Sequence, residues 1–228
     1  MKLAVIPARK NSKRIPNKNI KNFCGKPIIF WPIKTLIETK LFDKIIVSTD
    51  SEKIAKISSN YGATIPFIRP KNISNDSSST NDVICHAINF YKKKNINVDY
   101  VCCVYPTSVF VEKKDIKYGF NLLKKKNYNY VFSSYKFNNL NRSFKKNKSK
   151  GVSMFFPKNY NKNTQKLDDC LIDAAQFYWG LSKAWLNKIK IFNSNSFPIN
   201  FESLKAQDID DKDDWIKAEL MFKYNNKI

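Results

Sequence analysis

The sequence predicts an α/β fold built around a mostly parallel sheet. Short, continuously apolar runs that are typical of buried strands recur along the chain, and most are followed by a segment whose apolar residues have helical spacing. Strands and helices in this alternation are typical of right-handed βαβ units. The 228 residues contain no internal repeat or linker, so we expect a single domain over residues 1–228.

The elements of the first half follow one another closely. We predict strands at residues 3–6, 44–49 and 64–68, and helices at residues 27–40, 51–61 and 81–91. Pro32 falls in the first turns of the first helix, where a proline is tolerated, and Gly62 ends the second helix. Asp50 follows the second strand, and we expect it to cap the second helix.

The second half contains one long irregular stretch. We predict strands at residues 100–105, 128–135, 172–180 and 197–201, strand material at 205–209, a helix at 112–125 and a final helix opened by QDIDDKDDWIKAEL. Between residues 136 and 170 the pattern fails, apart from a strand-like piece at 152–156. Such a stretch inside a compact domain predicts either disorder or an extension with a partner of its own.

The loop after the first strand is strongly cationic. Its charged residues are Arg9, Lys10, Lys13, Arg14 and Lys18. In open α/β sheets, ligands bind outside the carboxyl ends of the strands, so the loop predicts an anionic ligand such as a nucleotide phosphate. The phosphate-binding patterns GxGxxG and GxxxxGK[ST] are both absent, and a solvated basic loop is the alternative interpretation.

The order of residues in this loop resembles a known signature. IPARKNSKRIPNKN resembles IPARxxSKxxxxKN of the acylneuraminate cytidylyltransferase family, also called the CMP-nonulosonic acid synthetases. The fixed positions present are Ile6, Pro7, Ala8, Arg9, Ser12, Lys13, Lys18 and Asn19. The resemblance implies a Rossmann-like, GT-A-like nucleotidyltransferase domain. It also implies that Arg9 and Lys18 act on the triphosphate as catalytic groups, and that Ala8, Ser12, Lys13 and Asn19 bind the substrate.

A second segment resembles another family signature. RPKNISNDSSSTNDVICHAI combines an Arg-Pro pair, a Ser/Asp-rich loop and a helix with one histidine. The resemblance implies that Arg69, Ser79 and Thr80 contact the base or the ribose. Taken alone, such a loop more often caps the following helix. His86 has apolar neighbours on its helix, and we expect a structural role for it.

Two further motifs complete the resemblance. YPTSVF resembles the family turn that lies beside the cytosine, which implies that Tyr105 and Thr107 bind the substrate. IDAAQFYWG resembles HDAGQFYWG of the pseudaminic acid members, with Ile172 in place of His and Ala175 in place of Gly. This match implies sugar contacts from Gln165, Asp173, Gln176 and Tyr178. We expect the two departures to alter substrate fit or rate.

The segment before the final helix predicts a metal site. In a strand, Asp208 and Asp210 would point the same way while Ile209 faces the core. Two carboxylates suit Mg²⁺, which completes its octahedron with phosphate oxygens and water. In relatives, a metal-binding Asp stands at the position of Asp210. The following acidic residues, Asp211, Asp213 and Asp214, are expected only to cap the helix.

Together these motifs imply a transfer of CMP from CTP to a nonulosonic acid, most closely pseudaminic acid, with release of pyrophosphate. N-acetylneuraminic or legionaminic acid is the alternative sugar. Relatives use the insertion at residues 136–170 as a dimerisation arm that reaches the partner's sugar site, which implies a homodimer.

Composition adds further expectations. A non-enzymatic polyanion-binding protein would explain the net charge of +22, but the lysines are scattered, so we expect no specific nucleic-acid partner. Five cysteines without a CxxC pair argue against disulfides and zinc. No apolar run is long enough for a membrane span and no signal peptide is evident, so a cytoplasmic protein without a membrane partner is expected.

Overall fold

A six-stranded sheet forms the centre of the computed structural model, which describes residues 1–148 and 150–227. The strands are β1 (Lys2–Pro7), β2 (Asn22–Phe23), β3 (Lys26–Pro27), β4 (Lys44–Ser48), β5 (Tyr100–Val104), β6 (Tyr130–Lys136), β7 (Phe144–Lys146), β8 (Val152–Met154), β9 (Leu171–Leu181) and β10 (Ser196–Phe201). The helices are α1 (Phe30–Thr39), α2 (Glu52–Asn60), α3 (Thr80–Lys92), α4 (Lys113–Lys126), α5 (Ser182–Leu186) and α6 (Lys212–Asn226).

The order of strands in the sheet is β10-β6-β9-β5-β1-β4. The pairs β1–β4, β1–β5 and β6–β10 are parallel, whereas β9 runs antiparallel to both of its neighbours, β5 and β6. The predicted α/β fold with a mostly parallel sheet is therefore confirmed.

Two predicted strands did not form. Residues 64–68 make only two isolated bridges, Ile46 to Thr64 and Thr49 to Ile68. Pro66 lies between them and has no N–H to donate to a ladder, which explains the interruption. The stretch 205–209 is also not a strand, because a 3-10 turn, Ser203–Lys205, leads into an extended coil.

The sheet is buried on both faces. On one face the core includes Ile33 of α1, Ile54 of α2 and Ile116 of α4, and on the other it includes Ile84 of α3 and Trp185 of α5. A third cluster packs α6 against the loops and contains Ile15, Phe23, Val109, Ile209, Trp215 and Phe222. Because Ile15 lies in the basic loop and Ile209 between two aspartates, this cluster fixes both segments at the same end of the sheet.

The helix starts correct one prediction. Ser51, not Asp50, caps α2 by accepting a hydrogen bond from the Ile54 N–H at 3.4 Å. Asp50 instead accepts a 2.7 Å bond from the Lys10 N–H, because the basic loop folds back over the end of β4. The expected cap of α6 is confirmed, since Asp211 and Asp214 form a capping box.

Residues 137–170 contain short 3-10 turns and one hairpin, β7–β8, which accounts for part of the strand-like piece at 152–156. Apolar side chains of this segment that lie exposed are Phe137, Phe144, Val152, Phe155, Phe156 and Tyr160. The dimerisation role of the segment stays a prediction. In the described residues, no helix is both long and apolar enough to cross a bilayer.

Strand β9 contains a bulge with a left-handed residue. The pairing of β6 with β9 shifts between Phe132 and Ser134, and Ala175 has φ 51°. Its N–H donates a 2.9 Å hydrogen bond to Asp173 Oδ1, which closes the turn of the bulge. A left-handed conformation costs an L-residue other than glycine roughly 1–2 kcal/mol.

This geometry predicts that a glycine is tolerated at Ala175 and destabilises the fold at the adjacent Ala174. Ala175→Gly should change the free energy of unfolding by less than about 0.5 kcal/mol, because relief of the backbone offsets the lost methyl and the added flexibility. Ala174→Gly, whose φ is not positive, should lower it by about 1–2 kcal/mol. Urea unfolding of both variants measures the difference, and equal losses would contradict a strained Ala175.

Candidate active site at the carboxyl ends of the strands

A cleft of about 640 Å³ lies where β1 and β5 end. That volume is in the range of sites for small molecules and cofactors, about 300–1,000 Å³. Four segments line it: the basic loop, the loop between residues 69 and 80, the turn after β5, and the segment before α6. They meet because parallel strands bring their carboxyl ends to one edge of the sheet.

Most of the predicted site residues line this cleft. They are Arg9, Ser12, Lys13, Lys18, Asn19, Arg69, Ser79, Thr80, Tyr105, Thr107, Asp208 and Asp210. Ala8 is fully buried beneath it, with its N–H bound to the Ser48 carbonyl oxygen. The remaining predictions, Gln165, Asp173, Gln176 and Tyr178, are not among the lining residues.

Short hydrogen bonds hold the path of the basic loop. Asn19 donates from Nδ2 to the Arg9 carbonyl oxygen at 2.9 Å, which ties the two ends of the loop together. Asn17 takes up a left-handed conformation with φ 55°, which asparagine tolerates better than most residues. A buried Ile15 anchors the middle of the loop. The cationic side chains therefore project from a fixed backbone.

Each of the four cations of this loop that line the cleft has an acidic partner. Asp76 lies 2.6 Å from both Arg9 Nη1 and Lys13 Nζ, and these hydrogen bonds lower its pKa. Asp210 Oδ1 lies 2.7 Å from Arg14 Nη2 and 3.6 Å from Lys18 Nζ. Ion pairs as exposed as that of Asp76 stabilise a fold little, so an incoming polyanion can replace them.

Arg69 differs from the other cations because it is buried, with 4% of its surface exposed. Its Nε donates to Ser74 Oγ at 3.2 Å, and Asp50 Oδ1 lies 3.9 Å from Nη2. Burial lowers the pKa of the guanidinium, while Asp50 opposes that shift. Nη2 is buried and has no hydrogen-bond partner, so Nε and the Asp50 charge are what hold the guanidinium in the cleft wall.

The loop after Arg69 ends in a helix cap, as the alternative interpretation expected. Ser79 forms a capping box with Asp82 at the start of α3. Thr80 Oγ1 shares a 2.8 Å hydrogen bond with the Tyr105 hydroxyl. Burial raises the pKa of Tyr105 well above its usual range, so the phenol stays protonated. The bond joins α3 to the turn after β5.

Strand β9 lies behind Tyr105 and the turn after β5, which form one wall of the cleft. The Tyr178 hydroxyl donates to Asp173 Oδ2 at 2.5 Å, and its ring packs edge-on against Tyr105 at 5.6 Å. Gln176 is only 1% exposed and its amide binds protein carbonyl groups. Gln165 is exposed in a 3-10 turn, Thr164–Lys166. The sequence motif thus predicted the strand correctly, whereas the structure surrounds Gln176 with protein.

Ile209 is fully buried between Asp208 and Asp210, as predicted, although the segment is not the strand from which the convergence of the two carboxylates was predicted. The Asp208 side chain reaches solvent in the cleft, yet desolvation by the surrounding protein and the nearby Asp210 carboxylate raise its pKa. A divalent cation would relieve that repulsion. Within residues 1–148 and 150–227, no group of three or more His, Cys, Asp or Glu side chains could hold a metal alone. Mg²⁺ takes one or two carboxylates together with phosphate oxygens and water, which is the donor set that Asp208, Asp210 and a bound triphosphate would supply.

Asp76 was not predicted as a site residue, although it lies in the Ser/Asp-rich loop and contacts two cations of the site, Arg9 and Lys13. The signal was present, because an acidic residue in a loop opposite a basic loop is a plausible counter-ion. The pairing itself spans 67 residues along the chain and required the tertiary structure.

A mostly parallel α/β sheet whose strand ends meet at a cationic cleft with paired carboxylates defines a nucleotidyltransferase-like site. The family model described as cytidylyltransferase matches residues 3–226, and the chain belongs to that family. This is a family of enzymes, so the alternative of a non-enzymatic protein that binds polyanions is not supported.

The chain is similar to several named proteins. It is 35% identical over 226 residues to a pseudaminic acid cytidylyltransferase of Campylobacter jejuni, covering 99% of this chain and 97% of the relative. It is 34% identical over 122 residues to a CMP-N,N'-diacetyllegionaminic acid synthase of Legionella pneumophila, covering 54% of this chain and 53% of the relative. An N-acylneuraminate cytidylyltransferase of Escherichia coli matches at 33% over 114 residues, 50% of this chain and 26% of that protein.

Solved structures share the fold. A CMP:2-keto-3-deoxy-manno-octonic acid synthetase in complex with CTP superposes with a TM-score of 0.71 at 14% identity, covering 98% of this chain and 99% of that one. A 4-diphosphocytidyl-2C-methyl-D-erythritol synthase of Anaerococcus prevotii superposes with a TM-score of 0.66 at 14% identity, covering 99% and 96%.

The ion pairs of Asp76 generate a prediction about nucleotide binding. Because Asp76 occupies Arg9 and Lys13, Asp76→Asn should lower the KM for the nucleotide about two- to five-fold, the range expected from an exposed pair. The melting temperature should stay nearly constant. Glu38→Gln is the matched control, since Glu38 pairs with Lys34 and Lys113 outside the cleft. A KM that rises in Asp76→Asn would show that Asp76 assists binding instead.

Proposed function

We propose that this protein transfers CMP from CTP to the anomeric hydroxyl of pseudaminic acid, a nonulosonic acid, and releases pyrophosphate. The observation that carries the proposal is the 35% identity to the Campylobacter jejuni pseudaminic acid cytidylyltransferase over almost the whole of both chains. The matches to the legionaminate and N-acylneuraminate proteins cover about half of this chain and support the wider substrate class.

The reaction forms one bond and breaks one at the α-phosphorus. The anomeric oxygen of the sugar attacks in line, its proton leaves, and the bond from the α-phosphorus to the bridging oxygen breaks to free pyrophosphate. Such a step depends on positioning and charge neutralisation. Arg9, Lys13 and Lys18 supply positive charge at the mouth of the cleft, and CTP binding exchanges their bonds with Asp76 and Asp210 for bonds with phosphate oxygens.

Arg69, Thr80, Tyr105 and Thr107 form the wall that we assign to the base and the ribose. Arg69 supplies positive charge from within the wall, and Tyr105 offers its ring, because Thr80 already binds its hydroxyl. We assign Ser12 and Asn19 to the nucleotide side and place Asp173, Tyr178 and Gln165 toward the sugar, as the resemblance implies.

Asp208 and Asp210 would hold Mg²⁺. The bound ion would neutralise charge that develops on the phosphate oxygens. The chain's own contribution is to place one carboxylate on each side of the buried Ile209, while Lys18 donates a 2.6 Å hydrogen bond to the Ile209 carbonyl oxygen. That bond places a triphosphate-facing cation and the metal-binding segment in a fixed relation.

We also propose that the protein is a homodimer joined through residues 136–170. Phe144, Val152, Phe155 and Tyr160 are 58–72% exposed in this segment. Exposed apolar clusters of this kind mark protein–protein contacts. We place the reaction in the cytoplasm, where CTP is available.

The direct test measures pyrophosphate release from CTP and Mg²⁺ across a panel of nonulosonic acids. Pseudaminic acid should give a kcat/KM well above those of N-acetylneuraminic and legionaminic acids. A higher value for either competitor would assign the protein to that sugar, and no turnover with any of the three would contradict the proposed reaction.

The metal assignment has a separate test in Asp210→Asn. Loss of this carboxylate should lower kcat at least about 100-fold and raise the Mg²⁺ concentration needed for half-maximal rate, the scale for removing one preorganised electrostatic group. Asp213→Asn is the control, because Asp213 lies in the first turn of α6 and does not line the cleft. If Asp210→Asn kept its rate and metal requirement, the metal would have to lie elsewhere.

A further inference from the structure

Gln176 joins three segments of the site, although it does not line the cleft. Its carbonyl oxygen accepts hydrogen bonds from Ser108 Oγ at 2.6 Å and the Tyr105 N–H at 3.4 Å. Its N–H donates to Ser133 Oγ on β6 at 3.0 Å. Its side-chain Nε2 donates to the Gln207 carbonyl oxygen at 3.3 Å and to that of Ala174 at 3.1 Å. Gln207 immediately precedes Asp208.

We propose that Gln176 is a positioning residue: its side-chain amide fixes the segment 207–210, and with it the Asp208 carboxylate, relative to the turn that follows β5. The inference rests on the proposed function in one respect, because it takes Asp208 to be part of a divalent-cation site. It replaces the sugar contact that the sequence motif implied for Gln176.

The segment 207–210 follows β10 but belongs to no strand, so no ladder of backbone hydrogen bonds fixes it to the sheet. The Asp214 carboxylate accepts bonds from the Asp210 and Asp211 N–H groups and, at 3.0 Å, from Gln207 Nε2, which attaches the segment to α6. Buried Ile209 and the Lys18 bond to its carbonyl oxygen attach it to the basic loop. The Gln176 amide is the bond that attaches it to β9, in the middle of the sheet.

The hydrogen-bond balance of the amide supports this role. Both partners of Nε2 are carbonyl oxygens, so the amide cannot be reversed without placing an oxygen against two acceptors. In this orientation Oε1 is buried without a partner, which is costly. An apolar side chain of similar length would avoid that cost and lose the tether. The burial of Gln176, at 1% exposure, also leaves no surface for a sugar to contact.

The test compares Gln176→Met with Ser133→Ala. Methionine keeps the length of the side chain and has no donor, while the backbone bonds of Gln176 survive. Ser133→Ala removes a buried hydroxyl that binds the N–H groups of Gln176 and Phe177, so it perturbs the same strand without touching the 207–210 segment. If Gln176→Met does not fold, Gln176→Asn keeps the amide but is too short to reach Gln207.

The first readout is Mn²⁺ binding in the presence of CTP and without sugar, followed by electron paramagnetic resonance. We expect Gln176→Met to raise the Mn²⁺ dissociation constant about tenfold, the lower end of the range for groups that orient a metal ligand, and Ser133→Ala to leave it within about twofold. The second readout is steady-state turnover, in which kcat should fall while the sugar KM stays within about twofold.

Two outcomes would overturn the inference. If Gln176→Met raised the sugar KM and left the Mn²⁺ affinity unchanged, Gln176 would contact the sugar after all. If Gln176→Met and Ser133→Ala lost equal Mn²⁺ affinity, the role of Gln176 would be packing of β9 and not the bond to Gln207. Failure of the proposed function looks different. In that case the wild-type protein turns over none of the sugars, while its Mn²⁺ affinity with CTP still reports on the tether.

Discussion

The pairing of β9 with β5 on one side and β6 on the other is the interaction on which the rest of the structure depends. Strand β9 runs antiparallel to β5 and β6, each of which pairs in parallel with its other neighbour. Its side chains enter both cores, Phe177 and Trp179 on one face of the sheet and Tyr178 on the other. Trp179 also donates from Nε1 to the Ile116 carbonyl oxygen at 3.0 Å, which ties α4 to the sheet. At Gly180, a Cβ atom would lie 2.4 Å from Trp185 Nε1, so α5 and β6 pack directly against the backbone there.

This central position explains why the carboxyl-edge loops can be polar and still have fixed geometry. The turn after β5 is bonded to the carbonyl oxygen of Gln176, and the segment before α6 is bonded to its amide. The carboxyl end of the basic loop is fixed by a hydrogen bond from Lys18 Nζ to the Ile209 carbonyl oxygen. Each loop therefore takes its position from the sheet or from a segment fixed to the sheet. The cations that remain at the cleft mouth are bonded mainly to acids that a phosphate can replace.

Continuous apolar runs predicted β1, β4 and β5 because the chain must bury such runs whatever surrounds them. The cationic loop was predictable for a similar reason, since its position follows from the strand before it. The role of Gln176 was not. Alternation along a strand tells which residues share a face, but what covers that face is decided by residues 207–210, which are far away in sequence. The Arg9–Asp76 and Lys10–Asp50 contacts were not predicted for the same reason, because each joins the basic loop to a segment that is distant in sequence.

Ala175 and Ile172, the two departures from the resembling motif, both lie in β9, and their effect on substrate fit or rate stays a prediction. Ala175 keeps the left-handed conformation that a glycine adopts without cost, and its N–H still closes the bulge on Asp173. Ala175 is buried, with 8% of its surface exposed, and it does not line the cleft. Ile172 pairs with Tyr135 of β6, and it too is absent from the cleft lining. The left-handed backbone of Ala175 therefore strains β9, burial of the methyl group offsets that strain, and the bulge places Asp173 beside Tyr178.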